Sequence, residues 1–378
     1  MTKFTNMVST EVVIIGGGLA GLTAGIHLSQ NGISVTIIEK NEYPKHKVCG
    51  EYVSNEVRGY LESLAIPIQS AEPTAINQLE FETLYGARIL QKLPLGGFGI
   101  SRFTLDFIMY KKAIENGCTI INQTVENCRF DGNHFIIETI EKSIYKAQIV
   151  LGAYGKRAQL DHSLKRAFIK KKSPWLAVKN HYKGNFPEDV VGLYHFKGGY
   201  CGVSKIEKDR INICYITNYK DFKHYKNIDD FQKAVLFNNQ KLKQILESCE
   251  SIFEKPLTIS QISFEKKEPV SEHMLMIGDT AGLIHPLCGN GMAMAIHSAK
   301  IASELCVLYL NEKKISRNEL EERYSKAWNL NFKKRLVMGR VLSTILEQQT
   351  LTLLILQIAV LFPFVLKQII KRTHGNPL

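Results

Sequence analysis

The chain has 378 residues, enough for roughly two to three domains of ordinary size. Its hydrophobic content of 45% and charged content of 22% are typical of a folded globular protein, which excludes a disordered chain and a small disulfide-stabilised module. The formal net charge of +12 comes from scattered basic residues, so anionic cofactors and anionic membrane surfaces are favoured over nucleic acid.

The chain begins with the pattern of a βαβ unit. The apolar run 12–15 indicates a buried strand, 19–30 a helix that ends at Asn31-Gly32, and 35–38 a second strand. Farther along, the pattern predicts a helix over 105–115, a strand over 119–121, and a hairpin that joins 134–140 to 143–151.

A β-rich region follows, and the chain ends in a helical region. Segments 178–182, 192–196 and 211–217 alternate and are separated by turn residues, which predicts an antiparallel sheet. A strand over 274–277 then leads through a loop to a helix over 291–310, and residues 318–370 are predicted to be helical. Their apolar stretch Leu351 to Leu366 is shorter than the roughly 18 to 20 residues that span a bilayer, so we expect it to pack against the protein or to lie flat on a membrane.

The loop between the first strand and the first helix carries a dinucleotide-binding pattern, with an acid at the end of the next strand. Gly16 permits the tight turn, Gly18 lets a pyrophosphate approach backbone N–H groups, and Gly21 allows close helix–strand packing. Glu39 can accept hydrogen bonds from ribose hydroxyls. The predicted cofactor-binding residues of this segment are Gly16, Gly18, Leu19, Ala20, Gly21, Glu39 and Lys40.

A second glycine-rich loop follows the strand over 274–277. The Asp279 carboxylate is placed there to accept hydrogen bonds from polyol hydroxyls. Backbone N–H groups and the dipole of the following helix would stabilise negative charge on a reduced flavin. The predicted cofactor-binding residues of this segment are Gly278, Asp279, Gly289, Asn290, Gly291 and Met292.

Together with Arg102 in Ile100-Ser101-Arg102-Phe103-Thr104-Leu105-Asp106, these segments make residues 1–310 resemble a group of FAD-dependent oxidoreductases. The group includes aromatic hydroxylases of the p-hydroxybenzoate hydroxylase type, flavin halogenases and geranylgeranyl reductases. The resemblance implies an α/β fold with a split, Rossmann-like FAD domain, an inserted antiparallel β-sheet substrate domain and a C-terminal helical region. It also implies that Arg102 and Asp279 contact FAD. The expected boundaries are 1–70, 101–160 and 271–310 for the FAD domain, 71–100 and 161–270 for the substrate domain, and 311–378 for the helical region.

Departures from the group's patterns favour its geranylgeranyl-reductase-like branch. The Asp-Gly pair that hydroxylases usually carry is replaced by Gly152-Ala153-Tyr154-Gly155. Neither Trp175 nor Trp328 lies in the Trp-x-Trp-x-Ile-Pro signature of the halogenases. Reduction is therefore favoured over hydroxylation, and halogenation is disfavoured.

Cys49-Gly50-Glu51 resembles the Cys-Gly segment that such reductases place beside the isoalloxazine ring. Cys49 and Glu51 are the predicted catalytic residues, because a thiol or a carboxyl there could supply a proton after hydride transfer to a C=C bond. The alternative is that Cys49 is a small buried hydrophobe and Glu51 a flavin-positioning or helix-capping acid.

The stretch 198–204 lies where the reductases have an aromatic-rich strand along the substrate cavity. It makes Tyr200 and Cys201 the predicted substrate-binding residues. The alternative is an ordinary sheet strand with Tyr200 in the core. No metal site is expected, because the eight cysteines contain no Cys-x-x-Cys pair.

The sequence thus predicts a FAD-dependent oxidoreductase that acts on a hydrophobic substrate, with reduction of isoprenoid C=C bonds as the leading reaction. A monooxygenase that hydroxylates an aromatic or polyketide-derived lipid is the first alternative, and a non-catalytic flavin-binding, membrane-associated protein is the second. NAD(P)H, a ferredoxin and a flavin reductase remain open as electron donors. The N-terminus has no signal-peptide pattern, so we expect a cytoplasmic protein, with peripheral membrane contact through the C-terminal region left open.

Overall fold

The structure is a computed structural model that describes residues 7–348 and 361–378, together with residues 351, 354, 355, 357 and 358. Part of the predicted apolar stretch Leu351 to Leu366 lies outside the described residues. Within the described part, the strands form an eight-stranded and a nine-stranded sheet, and helices pack on the first sheet and form the C-terminal region.

The first sheet is mainly parallel, with β1 at its centre. The apolar side chains of 12–15 are buried on both faces, as expected for a strand between two parallel neighbours. Helix α1 packs on this sheet and contacts both α3 and α8. The strands, in the order β16-β17-β9-β1-β2-β6 with the β7–β8 hairpin on β9, are β1 (Val8–Ile15), β2 (Val35–Ile38), β6 (Thr119–Ile121), β7 (Val125–Phe130), β8 (Phe135–Thr139), β9 (Ile144–Gly152), β16 (Val270–Ser271) and β17 (Met274–Met276).

The second sheet is antiparallel apart from the parallel pair β11–β4. One face packs in an aromatic-rich cluster with residues of α6 (Ile228–Ala234) and α7 (Gln240–Ser248). On the other face, Trp175 and Tyr200 pack in a cluster with Leu283 of the loop after β17. The strands, in the order β14-β10-β13-β12-β11-β4-β5-β3 with β15 on β10, are β3 (Tyr52–Ser54), β4 (Thr74–Glu82), β5 (Arg88–Gly99), β10 (Trp175–Lys183), β11 (Val190–Phe196), β12 (Gly199–Ile206), β13 (Arg210–Asn218), β14 (Glu250–Ser251) and β15 (Leu257–Ser260).

The helices connect the sheets and form the C-terminal region. A capping box between Ser316 and Glu319 begins the long helix α9, and its partners α8 and α10 pack against it. Within the described residues, α8 alone is long and apolar enough to cross a membrane, but its apolar surface packs against α1 and α9. The helices are α1 (Leu19–Gln30), α2 (Arg58–Ser63), α3 (Arg102–Glu115), α4 (Leu160–Ser163), α5 (Tyr219–Phe222), α6 (Ile228–Ala234), α7 (Gln240–Ser248), α8 (Gly291–Leu310), α9 (Arg317–Glu347) and α10 (Pro363–Thr373).

The predicted fold class is confirmed, and so are the predicted elements from β1 to α8, with ends that differ by a few residues. The hairpin β4–β5 was not predicted as strands. Pro94 and three glycines lie in its second strand, and the ladder shifts register between Ile76 and Gln78 of its first strand, so the alternation is broken. The domain boundaries stay a prediction. Strand β3, inside the predicted segment 1–70, pairs with β5 of the second sheet.

Candidate active site

A cavity of about 1110 Å³ lies between the two sheets. Its walls are both glycine-rich loops, the segment 45–52, the inner face of the second sheet, and parts of α9 and α10. Most of its surface is apolar. A cavity bounded by both loops and by the second sheet can hold a cofactor and a substrate next to each other.

The first glycine-rich loop combines two tightly packed glycines with one open glycine. Gly16 has φ +106° and lies against the backbone of Ala153, and the carbonyl of Gly16 packs against Gly21. By contrast, a Cβ on Gly18 would find its nearest neighbours at 3.8 Å, the Arg102 Nη2 and Lys47 Nζ atoms. The open glycine therefore faces free space bordered by two cations.

Two long helices begin at this cavity without a side-chain cap. Gly18 precedes α1 and Asn290 precedes α8, and neither helix start has a capping side-chain hydrogen bond. Both positions line the cavity. Their free N–H groups and positive helix ends make two separate places for negative charge.

Glu39, which directly follows β2, makes hydrogen bonds that hold the first glycine-rich loop in place. Its carboxylate accepts hydrogen bonds from the Gly17 N–H at 2.7 Å and from the Asn41 N–H at 3.0 Å, and the Tyr43 hydroxyl donates to the Gly17 carbonyl. Glu39 also lines the cavity, and the exposed Lys40 lies beside it at the rim. The position suits the predicted ribose contact, which stays a prediction.

Arg102, at the start of α3, is held by Asp106 one turn later. Its Nε and Nη2 donate to the two oxygens of Asp106 at 2.7 and 2.9 Å, and Lys47 Nζ reaches the same carboxylate at 3.0 Å. Burial alone would raise the pKa of Asp106, but these two cations hold it below its ordinary value. Two positive groups share one negative group beside Gly18, so a net positive charge remains for a pyrophosphate.

The second loop presents the Asp279 carboxylate to the same cavity. Lys267 Nζ donates to the Asp279 backbone carbonyl at 2.8 Å, and burial lowers the pKa of Lys267 to about 8. Gly289 has φ +63° and shapes the turn before α8. The Asn290 side-chain amide donates to the Thr373 carbonyl at 2.8 Å, so the C-terminal segment closes this side of the cavity.

These features fit FAD. The open Gly18 and two uncapped helix starts accommodate its phosphates and the negative charge of its reduced ring, and Glu39 and Asp279 can accept hydrogen bonds from its sugar and polyol hydroxyls. The predicted cofactor residues that line the cavity are Gly18, Leu19, Ala20, Glu39, Lys40, Arg102, Gly278, Asp279, Gly289, Asn290, Gly291 and Met292. Gly16 and Gly21 shape the turn behind them.

Glu51 sits in a buried ionic cluster at the cavity wall. One oxygen accepts hydrogen bonds from Lys179 Nζ at 2.5 Å and from the Arg102 N–H at 2.7 Å, and the other lies 2.7 Å from His181 Nε2. Burial alone would raise the pKa of Glu51, but the Lys179 ammonium and the His181 hydrogen bond keep it below its ordinary value. An ionised carboxylate with both oxygens occupied suits the positioning alternative better than proton donation.

Cys49 is a free thiol that lines the cavity two residues before Glu51. Asn212 Nδ2 of β13 donates to its backbone carbonyl at 3.2 Å, which ties this segment to the second sheet. Cys214 of the same strand also lines the cavity, and burial raises the pKa of its thiol to about 12. The predicted proton-donating role of Cys49 stays a prediction.

The two predicted substrate residues point to opposite faces of β12. Tyr200 lines the cavity and packs with Trp175 and Phe264. Cys201 is fully buried in the cluster behind the sheet and does not line the cavity, which corrects its predicted substrate contact. The reason is the two-residue period of a strand, which separates neighbouring side chains.

Several residues of the site were not predicted. Lys179 and His181 are fully buried titratable groups beside the segment 45–51, and Lys47 within that segment is partly exposed. The available signal was that Lys179 and His181 alternate directly after the apolar run 175–178 of the same strand, because charged side chains are rarely buried without a partner.

Comparisons with known proteins agree with this site. Residues 11–49 match the family described as FAD dependent oxidoreductase. The chain is 23% identical over 380 residues to conditioned medium factor receptor 1 of Dictyostelium discoideum, with 89% of this chain and 70% of that protein covered. It is 22% identical over 355 residues to digeranylgeranylglycerophospholipid reductase 2 of Methanothermobacter thermautotrophicus, with 86% and 85% covered. The structure of the flavin-dependent brominase Bmp2 superposes with a TM-score of 0.79 at 17% identity, covering 97% of this chain and 93% of that one.

Residues 11–49 are similar to FAD-dependent oxidoreductases, the fold is that of flavin-dependent enzymes, and the geometry of both loops fits FAD as the cofactor. The chain's resemblance to geranylgeranyl reductases and aromatic monooxygenases, read from the motifs, is confirmed at the level of this group. Its relatives and structural neighbours carry out different reactions, so the group defines the cofactor and leaves the substrate open.

Proposed function

We propose that this chain is a reductase that saturates C=C bonds of a hydrophobic, isoprenoid-type lipid. The observation that carries the proposal is the apolar extension of the cavity along the second sheet, which begins where the segment 45–52 and both glycine-rich loops meet. Its wall there consists of branched and aromatic side chains, namely Leu79, Phe81, Leu93, Val191 and Leu193. Such a wall selects an apolar chain because polar groups would lose their hydrogen bonds to water.

The reaction needs a hydride for one carbon and a proton for the other. Reduced flavin supplies hydride when it is bound. Cys49 is our proposed proton donor, since its thiol lines the cavity and a protonated group is required at that step. Glu51 is a positioning residue in this proposal, because Lys179 and His181 hold its carboxylate away from proton transfer.

The missing Asp-Gly pair supports reduction over hydroxylation. Tyr154 occupies the turn where hydroxylases usually carry that pair, and its hydroxyl donates to Asp161 at 3.2 Å. Hydroxylation of an aromatic or polyketide-derived lipid is the competing proposal, and a flavin-binding protein without turnover is the third.

One experiment separates the three. The flavin-loaded protein is reduced chemically and mixed with polyprenyl lipids and with aromatic or polyketide-derived lipids, once without oxygen and once in air. The masses of the products are measured by mass spectrometry. Our proposal expects a gain of two hydrogens without oxygen. A product that gains one oxygen atom, formed only in air, would establish the hydroxylase. Tight flavin binding with no product under either condition would support the third reading. Chemical reduction makes the result independent of the natural electron donor.

A further inference from the structure

A row of apolar side chains lies exposed on the outer face of the C-terminal region. Its described members, which we call the apolar strip, are Val337, Val341, Leu351, Leu354, Ile358, Leu361, Phe362 and Phe364. Leu361 is 72% exposed and Phe364 is 65% exposed. Single exposed hydrophobics are ordinary on a protein surface, but this many within 28 residues of one region indicate an interaction site.

The spacing of the row is helical. On α9, Lys334, Val337 and Val341 follow one another at intervals of three and four residues, and all three are exposed. Leu354, Ile358 and Leu361 repeat this spacing, and each is in helical conformation and exposed. Each of these two described runs therefore presents an apolar face with helical spacing.

Positive charge surrounds the strip. Residues 330–378 contain seven basic residues and one acidic residue, so this eighth of the chain carries about half of its net charge. Lys333 and Lys334 at one end and Lys367, Lys371 and Arg372 at the other are exposed, and none forms an ion pair with an acidic side chain in the described part of the chain. Of the other two basic residues, Arg335 is buried and pairs with Glu56, and Arg340 is partly exposed.

We propose that the apolar strip and its basic border bind the surface of an anionic lipid bilayer. An apolar face flanked by lysines and arginines is the composition of a helix that lies in the membrane interface. A second copy of this chain is a poor occupant, because two such borders would repel each other. This membrane contact is inferred from the exposed surface alone and does not depend on the proposed reaction.

The same elements connect the surface to the cavity. Leu342 of α9 and Ile370 of α10 line the cavity, and so does Ile355 between these helices, while the neighbouring side chains of Val341 and Leu354 are exposed. A lipid chain can thus pass from the bilayer past these residues toward the glycine-rich loops. This route, unlike the membrane contact itself, rests on the proposed function.

Deleting the tail cannot test the contact, because the tail also closes the cavity. Glu56 accepts a hydrogen bond from the Gly375 N–H at 2.5 Å and pairs with Arg335, so the C-terminal residues are tied into the core. Substitutions confined to the outer face, such as Leu361→Gln with Phe364→Gln, keep those contacts. Their matched control is Leu90→Gln with Ile140→Gln, two exposed apolar residues elsewhere in the chain.

Vesicle flotation is the primary measurement. Binding should rise with the fraction of phosphatidylglycerol in phosphatidylcholine vesicles and fall with salt. Lys333→Gln with Lys334→Gln should weaken the partition coefficient about tenfold to thirtyfold at low salt, whereas Lys170→Gln with Lys172→Gln should leave it unchanged. Leu361→Gln with Phe364→Gln should weaken it by at least about tenfold.

Three results would overturn the proposal. The first is that the protein fails to bind anionic vesicles at low salt. The second is that the outer-face variants float as well as their controls. The third is a dimer in light scattering that Leu361→Gln with Phe364→Gln dissociates, which would assign the strip to a second copy. The route is tested separately: the same variant should slow turnover of a vesicle-embedded substrate and leave turnover of a detergent-dispersed one unchanged. Absence of turnover in both would reject the proposed function and leave the flotation result intact.

Discussion

Removing the Lys179 ammonium should strongly destabilise the protein, because Glu51 would keep its charge without its cation. Both side chains are fully buried, and Nζ and Oε1 are 2.5 Å apart. In Lys179→Met, Glu51 keeps its hydrogen bonds from the Arg102 N–H and His181 but loses the ion pair. Breaking one side of a buried pair costs about 3–5 kcal/mol, a large part of the roughly 5–15 kcal/mol that stabilises a folded domain.

The pH dependence gives this prediction a sharper form. In the wild type, the pKa of Glu51 lies below its ordinary value, so its stabilising contribution is present at neutral pH and is lost as the pH falls through the folded-state pKa. In Lys179→Met, burial acts without the ammonium, so the pKa of Glu51 should be higher than in the wild type. The variant should therefore lose the most stability at neutral pH. The difference in the free energy of unfolding between the two proteins should become smaller toward pH 4.

The assay is urea unfolding followed by circular dichroism at pH 7.5 and pH 4.5. Lys183→Met is the control, because Lys183 ends the same strand with an exposed side chain, and it should change stability by less than about 0.5 kcal/mol. Adding Glu51→Gln to Lys179→Met should recover part of the loss, since the unpaired charge is gone. A loss below about 1 kcal/mol at pH 7.5, or the same loss at both pH values, would refute the reasoning.

Three further predictions concern the cofactor, the thiol and the C-terminus. Gly18→Val should abolish FAD retention, since the valine side chain would occupy the only open position of the loop, whereas Glu39→Ala should weaken FAD binding without abolishing it. The flavin released on denaturation measures both effects. Release of FMN instead of FAD would contradict both predictions. Cys49→Ser should slow the reoxidation of bound flavin by substrate at unchanged FAD content, while Cys201→Ser, behind the sheet, should not; equal rates would return Cys49 to a packing role. Glu56→Gln should weaken the pairing with the C-terminal segment and make it digestible by carboxypeptidase, and resistance equal to wild type would show that other contacts hold it.

The sequence allowed the parts of the site with local signals to be predicted. The glycine-rich loop between β1 and α1 and the loop before α8 each lie within a short segment whose strand and helix neighbours identify it. Backbone chemistry defines these loops, and glycine is readily visible in a sequence. The same is true of most strands and helices, since their hydrophobic period is local.

The rest of the site depends on pairs that are distant in the chain. Glu51 and Lys179 are 128 residues apart, and Glu56 and Arg335 are 279 apart. No local pattern links such residues, because their contact exists only after the two sheets and the C-terminal helices have assembled. The face that Cys201 takes was also unpredictable, since it depends on the register of β12 against both neighbours.

The segment 47–51 shows how these distant pairs serve one site. Three alternate residues of this short stretch have different partners. Lys47 binds Asp106 beside the pyrophosphate position, Cys49 lines the cavity, and Glu51 is anchored to Lys179 on the second sheet. The segment is therefore held at both ends by ion pairs, a partly exposed one on the cofactor side and a fully buried one on the substrate side. A thiol between two such anchors keeps a fixed position where cofactor and substrate meet, and this is the reason to expect that the anchors matter for turnover as well as for stability.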